Sequence, residues 1–277
     1  LPTPPSSRTR EAILVTGGAG FIGSHLVERL LALGYRVVAL DNFDPFYSPD
    51  EKRRNLTAAL TNPAFRLVEA DCADPRQLEE GLAGEPIDAI VHLAAKAGVR
   101  PSLNDPIGYA RANVMATQTL LEFARQRGIQ RFVFGSSSSV YGNRDAIPFS
   151  EDDPADRPVS PYAATKRAGE IICHTYAHLY GMRIIALRFF TVYGPRQRPD
   201  LAIRKFATLM LDGSPFRCSA MDRPSETTPG SRTSSMASSP RSNGRAGWTR
   251  SSRSSTWARA APPPSAAWST SSLTPSA

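Results

Sequence analysis

A chain of 277 residues with 33 Lys and Arg against 25 Asp and Glu carries a formal charge of +8, and its 41% hydrophobic content is enough for one large domain. No run approaches the roughly eighteen apolar residues of a membrane-spanning helix, which excludes that class of protein. The three cysteines stand at unrelated spacings without a CxxC pair, so neither a disulfide framework nor a metal site is expected, and a reduced cytoplasmic setting fits.

Residues 1–10, LPTPPSSRTR, are rich in Pro and Ser with no apolar run; they predict a disordered leader and no signal peptide. The leucine at the start points to a trimmed or mis-started reading frame. AILVTGGAGFIGSHLVERLLALG then gives a strand ending at Thr16, a glycine cluster, and a helix with Ile22, Leu26, Leu30 and Leu33 at helical spacing, stopped by Gly34. Gly18, Gly20 and Gly23 fit GxGxxG, and Gly17 extends it to GxxGxxG. Glycines between a strand and a helix permit a tight turn and close approach of backbone N–H groups to a pyrophosphate.

The strand Arg36 to Leu40 delivers Asp41 about twenty residues after the glycines, where a carboxylate binds ribose hydroxyls and repels a 2′-phosphate, favouring NAD over NADP. Phe65 to Glu69 leads to Asp71, and Ala89 to Leu93 leads to Ala94 and Ala95, with Asp74-Pro75 opening the helix between them. This alternation predicts an α/β, Rossmann-type doubly wound parallel sheet. Cys72 and His92 read as structural, near a cofactor by backbone position only. A longer helix from about Pro106 to Arg127 carries Tyr109 and Asn113. The strand RFVFG then runs into SSSSVYG, whose hydroxyls become candidate donors to a reacting oxygen.

Ser160 to Lys166, SPYAATK, places Tyr162 and Lys166 four apart on one helix face after a Ser-Pro pair suited to a helix start. A lysine ammonium beside a tyrosine stabilises the phenolate and lowers its pKa, making it a base toward a sugar or alcohol hydroxyl. The strand RIIALRFF and the segment TVYGPRQRPDLAIRKFATLML follow.

TGGAGFIG, Asp41, HLAA, SSSSVYG, YAATK and RFFTVYGP, in this order over about Glu11 to Pro215, resemble the extended short-chain dehydrogenase/reductases, specifically the NAD-dependent nucleotide-sugar epimerases and dehydratases. DNFDPFYSPDEKRR, HLAAKAGVR and FFTVYGPRQRPD look most like UDP-glucuronate 4-epimerases. The resemblance implies Tyr162 as general base and acid, Lys166 as its charge partner and ribose ligand, and Ser137 as the hydroxyl on the reacting sugar oxygen. It further implies NAD contacts from Gly17, Gly20, Phe21, Ile22, Gly23, Asp41, Asn42, Asp71, Cys72, Leu93, Ala94, Ala95 and Asn113, besides Tyr162 and Lys166. The dehydratases and uronate decarboxylases carry acidic residues where this chain has SSSSVYG; Ser138, Ser139 and Thr191 would instead hold a uronate carboxylate, with Arg198 near the sugar nucleotide. The implied reaction is transient oxidation of a UDP-hexose to a 4-keto sugar and its reduction on the other face, and the implied full-length assembly is a homodimer through the Pro106 and Tyr162 helices. A UDP-glucose 4-epimerase or another sugar-nucleotide epimerase or dehydratase is the alternative within this class.

Beyond about Arg217 the composition changes. Residues 217–277 contain no Ile, Val, Phe, Tyr or Lys and a single leucine, Leu273, so they cannot bury a core and predict a disordered tail. Their eight arginines against Asp222 and Glu226 give +6, leaving +2 for residues 1–216. One reading is a non-catalytic NAD-binding module with a nucleic-acid-binding tail; the joint presence of Ser137, Tyr162 and Lys166 argues against it. Another comes from the genetic code. Starting at the third base of the Arg217 codon, the degenerate positions permit VFGDGSSERDYTW and, through Ser238, DIVDGI, closely like the segment with which the resembling family continues. The expected organisation is a leader (1–10), an NAD-binding domain (11–190), the start of a substrate lobe (191–216) and an out-of-frame tail (217–277).

Overall fold

The computed structural model describes residues 11–143 and 148–214. The chain divides into two units, Leu1–Cys218 and Ser219–Ala277, and every described residue belongs to the first. The expected leader and tail therefore lie outside the described residues.

Six strands form one parallel sheet: β1 (Ala12–Thr16), β2 (Arg36–Asp41), β3 (Phe65–Glu69), β4 (Ala89–His92), β5 (Arg131–Ser137) and β6 (Arg183–Phe189). Their order is β3-β2-β1-β4-β5-β6, the doubly wound topology expected from the βα alternation. Order reverses between β1 and β4, which run in register from Ile13 opposite Ala89 to Thr16 opposite His92, so the carboxyl ends of these strands open a crevice. Alternate side chains of β1 feed two cores because a strand presents successive residues to opposite faces. Leu14 joins Val38, Ile90, Leu120 and Phe132 on one face, while Ile13 and Val15 join Val27, Val37 and Ala39 on the other.

The helices are α1 (Phe21–Ala32), α2 (Pro49–Asn55), α3 (Thr57–Leu60), α4 (Pro75–Gly81), α5 (Val99–Asn104), α6 (Pro106–Tyr109), α7 (Ala116–Gln126), α8 (Pro161–Tyr180) and α9 (Ala202–Leu211). Asp74 caps α4 as expected, its carboxylate accepting from the Arg76 and Gln77 amides. Of the stripe expected on α1, Leu26 and Leu30 pack against the core, but Leu33 is 57% exposed and Val27 takes the buried position. The long helix expected from Pro106 is interrupted by a π-helical turn, Ala110–Met115, which carries Asn113. The strand expected to stop at Gly135 runs on to Ser137, because β6 pairs with it as far as Phe189. The serine run is thereby divided, with Ser136 and Ser137 on the strand and Ser138–Tyr141 in a 3₁₀ turn.

Candidate active site

The glycine turn is built by steric exclusion. Gly17 has φ +68°, and a Cβ there would lie 2.7 Å from the Ala94 amide nitrogen; a Cβ on Gly23 would collide with the Gly17 carbonyl. Only glycine lets β1, the turn and α1 close this tightly. Gly20, the residue before α1, offers no side-chain cap, so the first amides of the helix face outward from the turn. At the end of β2 the Asp41 carboxylate accepts from the Ala19 amide at 3.1 Å and the Phe43 amide at 2.9 Å, with Lys52 Nζ at 3.7 Å. Each oxygen spends one acceptor position on the backbone, and the carboxylate still lines the groove.

At the other end stands α8, whose Ser160 cap accepts from the Ala163 amide at 3.1 Å. Tyr162 and Lys166 project from its first turns into the same groove. Lys166 is buried, donates to the Gly135 carbonyl at 2.7 Å and lies 5.2 Å from the Phe134 ring centroid. Burial lowers its pKa to about 8. The Tyr162 pKa is raised, first by burial, with the Ser137 hydroxyl and the Arg198 cation pulling it back. This corrects the expectation that Lys166 would lower it: the ammonium is committed to a backbone carbonyl, and desolvation of the phenol prevails. Ser137 Oγ accepts from the Ser139 amide at 3.2 Å and lies 3.0 Å from Ser139 Oγ. Arg198, with a side chain 17% exposed, is paired with both oxygens of Asp200 at 2.9 and 2.8 Å.

One cavity of about 440 Å³ joins the two ends. Gly17, Gly20, Phe21, Ile22, Gly23, Asp41, Asn42, Asp71, Cys72, Leu93, Ala94 and Ala95 line it at the glycine end, and Ser137, Ser138, Ser139, Tyr162, Lys166, Thr191 and Arg198 at the other. Asn113 does not line it. Its amide accepts from the Lys96 amide at 2.8 Å and donates to the Lys96 carbonyl and Thr165 Oγ1, bracing the loop after β4 against α8. Burial pushes the Cys72 thiol up to about 12 and lowers His92 to about 3, so at neutral pH the first keeps its proton and the second is an uncharged imidazole. His92 Nδ1 accepts from the Thr16 hydroxyl at 2.7 Å and Nε2 donates to Thr117 Oγ1 at 3.1 Å, whose own proton goes to the Asn113 carbonyl. Tyr47 and Lys52 also line the groove, a role that reading DNFDPFYSPDEKRR only as a likeness did not reveal. Among the described residues no cluster could hold a metal ion, and no helix is long and apolar enough to cross a membrane.

A glycine cradle, a ribose-suited carboxylate and a Tyr-Lys-Ser group in one groove are matched by a family model, described as the NAD dependent epimerase/dehydratase family, over residues 13–217. The chain belongs to this family. UDP-glucuronate 4-epimerase 1 of Arabidopsis thaliana is 45% identical over 206 residues, 74% of this chain and 48% of the relative. UDP-glucuronic acid 4-epimerase from Bacillus cereus, solved with UDP-glucuronic acid and NAD, superposes with a TM-score of 0.68 at 41% identity, over 74% of this chain and 64% of that one. A dTDP-glucose 4,6-dehydratase variant from Streptomyces venezuelae, solved with NAD, gives 0.67 at 39% identity, over 73% and 62%. The chain thus spans between about half and three-fifths of the length of curated relatives it matches, for example 46% of one and 62% of another.

Proposed function

We propose that this member of the NAD dependent epimerase/dehydratase family carries the cofactor-binding and catalytic part of a UDP-hexose 4-epimerase, with UDP-glucuronate as substrate and UDP-galacturonate as product. The observation that carries this reading is the convergence of Tyr162, Lys166 and Ser137 on the groove that begins at the glycine turn and Asp41. The residues fit NAD: Gly17 and Gly23 keep clear a cradle that a Cβ would fill, and the Asp41 carboxylate suits two ribose hydroxyls while repelling a 2′-phosphate. When bound, NAD would accept a hydride from the sugar carbon and later return it.

Tyr162 would take the proton of the sugar 4-hydroxyl and give it back after the 4-keto sugar has turned over. Ser137, within reach of Tyr162, would donate to the same oxygen and hold it against the phenol. The Lys166 ammonium, below its pKa of about 8, adds positive charge at the groove wall where charge develops. Ser138, Ser139 and Thr191 supply neutral hydroxyls for the substrate carboxylate. Their grip matters because a 4-ketouronate is a β-keto acid, which loses carbon dioxide once its carboxylate aligns with the carbonyl. Dehydration needs an additional acid and base, and the SSSSVYG segment has no carboxyl to supply them.

The test incubates the purified chain, and a version restored to the second reading frame after Phe216, with UDP-glucuronate, UDP-glucose and dTDP-glucose separately. The restored protein is expected to interconvert UDP-glucuronate and UDP-galacturonate, and Tyr162→Phe to lower that rate by about 10²–10⁴. The 277-residue chain is expected to show weak turnover or none. A 4-keto-6-deoxy product would overturn the epimerase reading. The restored protein is further proposed to be a homodimer.

A further inference from the structure

Tyr47 sits in the segment after β2, on the wall of the groove, and its hydroxyl oxygen is buried without a hydrogen-bond partner among the described residues. A phenol in this condition is unusual, since buried polar atoms are nearly always paired and an unpaired one costs folding free energy. The ring is held in place: Lys52 Nζ lies 5.1 Å from its centroid, and that lysine is itself fixed by the Asp44 carbonyl at 3.0 Å and by Asp41. The hydroxyl faces the glycine turn, where a Cβ built on Gly20 would lie 3.9 Å from it, an ordinary contact distance. Gly20 immediately precedes α1, whose first amides have no side-chain cap. An anion seated on that turn would meet the phenol directly.

We propose that the Tyr47 hydroxyl is a hydrogen-bond donor to the pyrophosphate of a dinucleotide seated on the first turn of α1. This rests on the dinucleotide reading of the groove and adds a residue outside the glycine motif to it. Burial, and then the Asp41 carboxylate, raise the Tyr47 pKa to about 12, so the group keeps its proton at neutral pH and meets a phosphate oxygen as a donor. Lys52, close behind the ring, favours the same anion.

Isothermal titration of the full chain and of Tyr47→Phe with NAD, ADP-ribose and adenosine tests this without reference to turnover. The variant is expected to bind NAD and ADP-ribose about tenfold more weakly and adenosine equally well. Without ligand it should melt at the same temperature or higher, since the substitution removes a buried unpaired hydroxyl. Unchanged affinity for NAD, or an equal loss for adenosine, would overturn the proposal while leaving the dinucleotide reading intact. A wild-type chain that binds none of the three would overturn both.

Discussion

His92 shows what a buried polar residue near the groove contributes. Held between Thr16 and Thr117 and fully desolvated, it has a pKa of about 3, against about 6.5 when unfolded. Between those values the unfolded chain binds the proton and the folded chain does not, so this stabilisation is complete above pH 6.5 and is lost as pH falls toward 3. The loss is on the order of 5 kcal/mol. Urea melts at stepped pH should show stability falling below 6.5, more steeply in wild type than in His92→Gln; parallel curves would refute the assignment. At this scale much was legible, because β-strand ends and helix faces convert sequence spacing into position. The spacing of Tyr162 and Lys166 put both in the groove. Their electrostatics were not legible, because the balance between desolvation and charge pairing depends on Lys166 reaching the Gly135 carbonyl, a contact across 31 residues. The bonding of Asn113 was not legible for a related reason: its side chain meets Lys96 and Thr165, 17 and 52 residues away.

Between elements, the site depends on how α8 is tied to β5 and β6, and Glu170 makes that tie. Its carboxylate accepts from Ser136 Oγ at 2.6 Å, from Arg188 at 2.9 and 3.0 Å, and from Arg167 at 2.9 Å. Ser136 adjoins Ser137, and Arg188 adjoins the Phe189–Thr191 wall of the groove while its guanidinium lies 4.7 Å from the Tyr141 ring centroid. Glu170→Ala would leave the Arg188 charge largely buried and unpaired, a loss of about 3–5 kcal/mol. A chemical melt is expected to show it, and a loss below about 1 kcal/mol would mean that water replaces the carboxylate. The elements themselves were largely readable from apolar runs, the Asp74 and Ser160 caps and the glycine punctuation. The π-helical turn was not, because it inserts a wider turn into an otherwise regular helix without changing which residue types occupy it. Nor was the extension of β5 to Ser137, which is decided by β6 from about fifty residues downstream.

Across the whole molecule, one edge of the sheet is under-covered. A parallel strand is ordinarily buried on both faces, yet on β6 Ile185 is 51% and Leu187 41% exposed, and Phe190, Tyr193, Met210 and Leu211 beyond it are exposed as well. The family match ends at residue 217, within two residues of the point where the composition turns to Ser, Arg and Pro and the second frame begins to read like the family. These observations belong together if the polypeptide that should lie over β6 is encoded in that other frame. Apolar area of this kind drives self-association. The 277-residue chain is therefore expected to bind a hydrophobic dye and to grow in light-scattering radius with concentration, and the frame-restored protein to do neither. Sequencing the source DNA across the codons for Leu211 to Ser225 should reveal a base missing or extra. If the reading frame stands, the tail is confirmed by mass, and the chain stays monodisperse without binding dye, then β6 tolerates its exposure and the frame explanation fails, leaving the cofactor groove as the part of the family's machinery this chain retains.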